Sequence, residues 1–218
     1  MKNLLCILIC TVMLIPLTGC TGYELADEYV NNLEIGYSAS RGDAFVGGYQ
    51  YSLVENNNEI IIPEEYNGYK ITRLGGFFGQ GYPIPFGIEI DKDSLPNKEN
   101  LGYIGTVSLG FINEIDEVIY LDFTLHISKF IENIDEACMS VCIEVGYYLT
   151  CSCDEQSTCE ICEGEERLQS YVGYIPRFFI TCDEENEKFY SENGYLYYKA
   201  DETPVDGILY YDYEYIND

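Results

Sequence analysis

The chain has 218 residues, with 38 Asp and Glu against 11 Lys and Arg, a formal charge of −27 and a pI near 4.1. That excess of acid excludes a nucleic-acid binder that works by neutralising phosphates. Hydrophobic residues make up 47%, with 22 Tyr and 10 Phe but no Trp, which is too apolar for a disordered acidic chain, so a folded core of one domain or two small ones is expected.

Lys2 gives the N-terminus a positive charge, Leu4 to Thr18 runs uncharged, and the small Gly19 precedes Cys20. This is signal-peptide grammar, and the apolar run is shorter than the ~20 residues a spanning helix needs. Leu17-Thr18-Gly19-Cys20 resembles the lipobox of bacterial lipoproteins. The resemblance implies a lipoprotein signal peptide over residues 1–19 and acyl chains such as palmitate on Cys20. It also implies a chain held by lipid on the extracytoplasmic face of the cell membrane. Residues 20–43 read as the lipidated Cys and a tether, in which Leu25, Tyr29 and Leu33 are spaced for at most a short helix. Losing residues 1–19 removes Lys2 and no acid, so the mature body is repelled by anionic headgroups.

Residues 44–218 read as a mainly β domain. Phe45, Tyr49, Tyr51 and Leu53 share one parity, Asn56-Asn57-Asn58 signals a turn, and Ile60-Ile61-Ile62 is a second run that Pro63 ends; the simplest reading is a hairpin. Ile84, Phe86, Ile88 and Ile90 alternate in the same way. Ile119, Leu121, Phe123, Leu125 and Ile127, with Asp122, Thr124 and His126 between them, form the cleanest strand pattern. Phe130, Ile131, Ile134, Ala137, Cys138 and Val141 recur instead at three and four, which predicts one amphipathic helix near 128–140. Alternation resumes from Val141 to Leu149, is interrupted by a Cys-rich insert at 151–166, and returns in Phe178 to Cys182, Tyr195 to Lys199 and Ile208 to Ile216.

Two segments go beyond period. Ile62-Pro63-Glu64-Glu65-Tyr66-Asn67-Gly68-Tyr69-Lys70-Ile71-Thr72-Arg73-Leu74-Gly75, followed by Phe77-Phe78, resembles the opening repeat of BspA-type leucine-rich repeat proteins. Cys182 to Tyr197, with Asn186, Phe189-Tyr190 and Gly194-Tyr195-Leu196-Tyr197, resembles the late repeats of that family. The resemblance implies a short-strand, solenoid-like domain in which each strand packs on its neighbours. Between the segments stands one echo, Leu101-x-x-Ile104-Gly105, thirty residues after Ile71-x-x-Leu74-Gly75, a step longer than the usual period of about 20–29 residues. The alternative architecture is an irregular β-sandwich.

Of the ten Cys, Cys6 and Cys10 leave with the signal and Cys20 takes the lipid. Cys151, Cys153, Cys159 and Cys162 form C-x-C-x5-C-x2-C, a tetrathiolate set that would hold zinc. The spacing is short for a ribbon or finger, and in an exported chain disulfide staples weigh more. Cys159-Glu160-Ile161-Cys162 lies among Asp154, Glu155, Glu163, Glu165 and Glu166, whose charges raise thiol pKa and argue against a redox catalyst. Arg41-Gly42-Asp43 is the tripeptide integrins read, but a polar turn is the weightier reading. His126, the sole His, falls on the polar side of its strand and reads as a solvated surface residue.

No G-x-S-x-G, phosphate-binding Gly loop or H-E-x-x-H occurs, and no nucleophile, base and orienting group assemble from spacing. The chain reads as no enzyme and as needing no cofactor unless the thiols take zinc. Tyr195, Tyr197, Tyr211, Tyr213 and Tyr215 put amphipathic rings near the C-terminus, suited to protein or glycan contacts. The expected function is a membrane-anchored surface module that binds an extracellular protein or glycan. The alternative is a thiol-based metal-binding or redox envelope protein using Cys151, Cys153, Cys159 and Cys162.

Overall fold

The structure is a computed structural model that describes residues 24–78, 82–84, 86–109, 115–134, 139, 141–148 and 168–212. In chain order the strands are β1 (Glu24–Leu25), β2 (Leu33–Ser38), β3 (Asp43–Tyr51), β4 (Glu59–Ile61), β5 (Glu65–Tyr66), β6 (Tyr69–Leu74), β7 (Gly76–Phe78) and β8 (Tyr82–Ile84). They continue with β9 (Gly87–Ile90), β10 (Leu101–Ser108), β11 (Glu117–Ile127), β12 (Asn133–Ile134), β13 (Val141–Tyr148), β14 (Leu168–Cys182), β15 (Phe189–Glu192) and β16 (Tyr195–Tyr198). Among the described residues there is no α-helix, and the helical turns are of 3-10 type, at Lys92–Ser94 and Lys98–Asn100.

Two mixed sheets carry the fold. The first runs β1-β2-β3-β6-β12, with β5 beside β6; β9 shares with β6 the edge of β3 opposite β2. The second runs β10-β13-β14-β11-β4, and β11 lies parallel to both β14 and β4. Small hairpins, β7–β8 and β15–β16, stand outside these sheets. The irregular sheets agree with the second of the two architectures the pattern allowed.

One core joins the sheets. Tyr49 and Tyr51 of β3 meet Phe123 of β11 edge-on, with centroids 6.3 and 4.9 Å apart, and Phe123 stacks on Phe178 of its neighbour β14 at 5.8 Å. Leu33, Ile35, Val46, Ile71 and Leu74 from the first sheet close the same core with Leu125, Val145 and Ile180 from the second. Burying each such side chain contributes about 1.5–3 kcal/mol of transfer free energy.

Three sequence expectations are corrected by these pairings. β3 and β4 make no hairpin, because Asn56 to Asn58 passes the chain from the first sheet to the second. The Tyr51 hydroxyl donates to Asn56 Oδ1 at 2.6 Å, the Tyr49 hydroxyl to the Asn57 carbonyl at 3.1 Å, and Asn58 Nδ2 to the Asp122 carbonyl at 2.8 Å. The turn residues thus serve the buried tyrosines. The helix expected near 128–140 is absent from its described part: Glu132 N–H donates to the Thr72 carbonyl, Asn133 and Ile134 pair with β6, and the carbonyls of Ser128 and Ile131 accept from Asn186. Backbone groups committed to other strands are not available to a helix. The tether placed at 20–43 yields its later part to the domain, since Leu33 and Ile35 are about 1% exposed and β2 pairs along β3.

Turn chemistry holds where it was read. Asn67-Gly68 joins β5 to β6 with φ of 50° and 81°, and Asn193-Gly194 joins β15 to β16 with 53° and 87°, the left-handed pair that tight hairpins need. At Gly194 a Cβ would also lie 2.4 Å from the Phe179 ring, so both backbone and space call for glycine.

Candidate functional site

The Asn193-Gly194 turn sets the register of the last hairpin, in which Phe189 faces Tyr198, Tyr190 faces Tyr197 and Glu192 faces Tyr195. Opposed residues of antiparallel strands point to the same side. Phe189 and Leu196 therefore enter the core, while Tyr190, Glu192, Tyr195 and Tyr197 turn outward. Tyr190 and Tyr197 stack with centroids 5.2 Å apart, and Tyr195 stacks on Tyr210 at 4.3 Å. The Tyr195 hydroxyl donates to the Asp212 carboxylate, and that bond holds its pKa above the ordinary value. The Tyr210 hydroxyl donates to the Val205 carbonyl at 3.0 Å, and burial pushes its pKa up to about 12. The result is a strip of four rings already fixed in place, which lowers the ordering cost of contact with a partner.

Tyr195 and Tyr197, two of the five tyrosines singled out from the sequence, stand in this strip. Tyr211, 53% exposed, packs over the Arg177 guanidinium at 5.2 Å instead, with Tyr120 on the same group at 4.2 Å. Arg177 Nε donates to Asp122 Oδ1 at 2.7 Å, so the arginine is held by two rings and a carboxylate. Tyr213 and Tyr215 lie outside the described residues, as do Cys20, Cys151, Cys153, Cys159 and Cys162. Tyr190 completes the strip; its signal in the sequence is its place opposite Tyr197 across the Asn-Gly turn.

The described cysteines, Cys142 and Cys182, are free thiols. Burial pushes the pKa of each up to about 11, with Glu144 adding to the effect at Cys142. Such thiols stay protonated at neutral pH and are poor nucleophiles and metal ligands. His126 is half-buried rather than solvated, with Nδ1 3.0 Å from Thr181 Oγ1. Arg41 and Gly42 lie on the turn between β2 and β3, where the Gly42 N–H donates to the Ser38 carbonyl, and Asp43 opens β3 with its Oδ1 buried. A tripeptide presented to an integrin needs that carboxylate outward, and the turn reading fits better.

The fold also gathers carboxylates that lie far apart in the sequence. A cleft of about 330 Å³ holds Glu34 of β2 and Glu89 of β9 over Gly47, Gly48 and Gly87, with Ile104 and Ile143 of the second sheet on its wall. Tyr29 donates to Glu89 Oε2 at 2.7 Å, and this bond, with burial, pushes its pKa up to about 12. Burial and the neighbouring charge of Glu89 raise the Glu34 pKa. A raised carboxyl beside a second one is the kind of pair acid–base chemistry uses. Among the described residues lining the cleft there is no Lys, Arg, His or Cys to act with it. Comparison of the chain with protein-family models, curated proteins and solved structures finds no match.

Proposed function

We propose that the chain is a lipid-anchored surface lipoprotein, held at the extracytoplasmic face of the cell membrane through Cys20, that binds an extracellular protein or glycan. The observation that carries the binding role is the strip of Tyr190, Tyr195 and Tyr197, turned outward on a two-stranded hairpin, with Tyr190 stacked on Tyr197 and Tyr195 backed by the part-buried Tyr210 from the segment that follows. Aromatic hydroxyl side chains of this kind bury large area at low entropy cost and keep a polar handle. The lipobox at Leu17–Cys20 supports the anchor. The leucine-rich-repeat resemblance enters through the two Asn-Gly hairpins and through the parallel pairing of β3 with β6 and of β6 with β12, an arrangement a degenerate solenoid would keep.

The test uses the full chain purified in detergent. Intact mass should show acyl chains on a mature N-terminal Cys20, and arrays of matrix proteins, glycans and cell-wall fragments should show saturable binding that the double variant Tyr195→Ser/Tyr197→Ser weakens. An unacylated Cys20 removes the anchor, and binding to nothing on the arrays removes the module.

A further inference from the structure

The strands at the edges of the two large sheets differ in length. β1, β12, β9 and β4 have two, two, four and three residues, and short edge strands are one way folds avoid pairing with other chains. β10 has eight. It pairs on one side with β13, and among the described residues no strand pairs with its other side. The slip in its register falls between Leu101 and Tyr103, so the edge from Tyr103 to Ser108 runs regular. From Asn100 to Asn113 the sequence holds no charge and no Pro, the residues that commonly blunt an edge. Leu101 to Val107 include no buried residue, and Tyr103 is 41% exposed, its ring lying across Gly105 in the space a side chain would take. Along such an edge every second residue turns its N–H and C=O outward.

β10 also borders the Glu34–Glu89 cleft. Ile104, Gly105 and Thr106 stand on one side of it, and the whole of β9 on the other. A strand laid along β10 would face β9 across the cleft and turn every second side chain toward the first sheet, where the two carboxylates lie. Among the described residues no Lys, Arg or His lines the cleft to balance them. Burial and the charge of Glu89 hold the Glu34 pKa up, so a cation brought to the pair relieves a strain that the free protein carries.

We propose that β10 takes up an extended basic segment of another protein as an added strand, its backbone paired along Tyr103 to Ser108 and its Lys or Arg side chains set against Glu34 and Glu89. In strand addition the main-chain bonds give affinity and alternate side chains give selectivity. The charge of −27 draws a basic segment in and repels a second copy of this chain. A metal ion fits the cleft less well, since among the described residues no third Asp, Glu, His or Cys joins the pair.

This adds a second surface to the proposed binding role, resting on that reading for the partner's place outside the cell, and it lies apart from the tyrosine strip, so different variants test the two. Calorimetry on the full chain in detergent would use a capped octapeptide of alternating Lys and Thr. Its companions are the same peptide with Glu for Lys, and the Lys peptide N-methylated at its fourth and fifth residues, which keeps every charge and blocks pairing along both of its edges. The Lys peptide should bind saturably and about tenfold tighter than its N-methylated form, and the Glu peptide should not bind. Glu34→Gln/Glu89→Gln should weaken binding about tenfold with the fold intact by circular dichroism, while Tyr195→Ser/Tyr197→Ser leaves it unchanged. Hydrogen exchange should slow in β10 on binding and stay as it was in β15 and β16. The proposal is overturned by a Lys peptide that does not bind, by equal binding of the N-methylated form, or by affinity that Glu34→Gln/Glu89→Gln leaves unaltered. Protection that falls elsewhere than β10 overturns it too, as does exchange in β10 that slows with protein concentration alone, which would give the edge to a second copy.

Discussion

Asn186 ties the C-terminal hairpin to the segment that follows β11, and its removal should be among the costliest single changes in the domain. The residue is 1% exposed. Its Nδ2 donates to the carbonyls of Ser128 and Ile131 at 2.9 and 3.0 Å, and its Oδ1 accepts from the N–H groups of Lys188 and Phe189 at 2.8 Å each. In Asn186→Ala the Lys188 N–H can turn to water, but Ser128, Ile131 and Phe189 are at most 2% exposed and their groups stay dry. The Ser128 carbonyl keeps the Ile131 N–H at 3.3 Å, so two groups are stranded, and at about 1.5 kcal/mol each the loss is about 3 kcal/mol. For a domain of this size that lowers Tm by about 10 °C. Urea unfolding followed by tyrosine fluorescence should show the midpoint fall at constant slope. Asn186→Asp adds a pH signature, since its carboxylate keeps both N–H partners but faces two carbonyls and has its pKa raised in the folded state. A raised folded pKa means that stability is retained below the ordinary carboxylate value of about 4 and lost as pH rises through the raised one. A loss under about 1 kcal/mol for the Ala variant, or an Asp variant most stable at neutral pH, would refute the clip.

Arg177→Lys keeps the charge but not the flat group between Tyr120 and Tyr211, and should cost about 1 kcal/mol; a double-mutant cycle with Asp122→Asn separates the stacking from the ion pair. Because the folded pKa of Glu34 is raised, its charge opposes folding above that value, so Glu34→Gln should stabilise the protein at pH 7 and lose that advantage below the ordinary carboxylate range, as thermal melts at pH 3 and pH 7 would show. Cys142 and Cys182 should resist iodoacetamide at pH 7.5 and label fully in denaturant; fast native labelling read by peptide mass would contradict the protonated state of the buried Cys142 and the half-buried Cys182.

Strand positions were legible in the sequence because period-two alternation is a property of a single strand. β11 and β13 lie where Ile119–Ile127 and Val141–Leu149 alternate. The Asn-Gly turns were legible for a similar reason, since a positive φ is a local demand. Partner choice was not. Asn56 to Asn58 looks the same whether it closes a hairpin or changes sheets, and only the hydroxyls of Tyr49 and Tyr51 decide the matter. Likewise Ile131 and Ile134 satisfy a helical spacing by accident, one entering the core beside the Asn186 clip and the other pairing with Leu74. The tyrosine strip was half visible as a run of tyrosines, whereas Tyr190 needed the register of β15. The Glu34–Glu89 cleft was beyond reach, because it gathers residues from strands that touch only after folding.

The parallel placement of β11 between β4 and β14 has a temporal consequence. The bonds that hold it span 64 residues from Asn58 to Asp122 and 55 from Asp122 to Arg177, and the Asn186 clip adds 58. Loops of that length must be closed before any of these contacts returns its energy, which places folding on a millisecond-to-second scale. A fragment ending before β14 would leave β11 with one edge and its apolar face open, a template for aggregation. The N-terminal half therefore waits for the C-terminal strands. For a chain exported unfolded, as the proposed signal peptide requires, that wait keeps the polypeptide threadable until its last third has crossed.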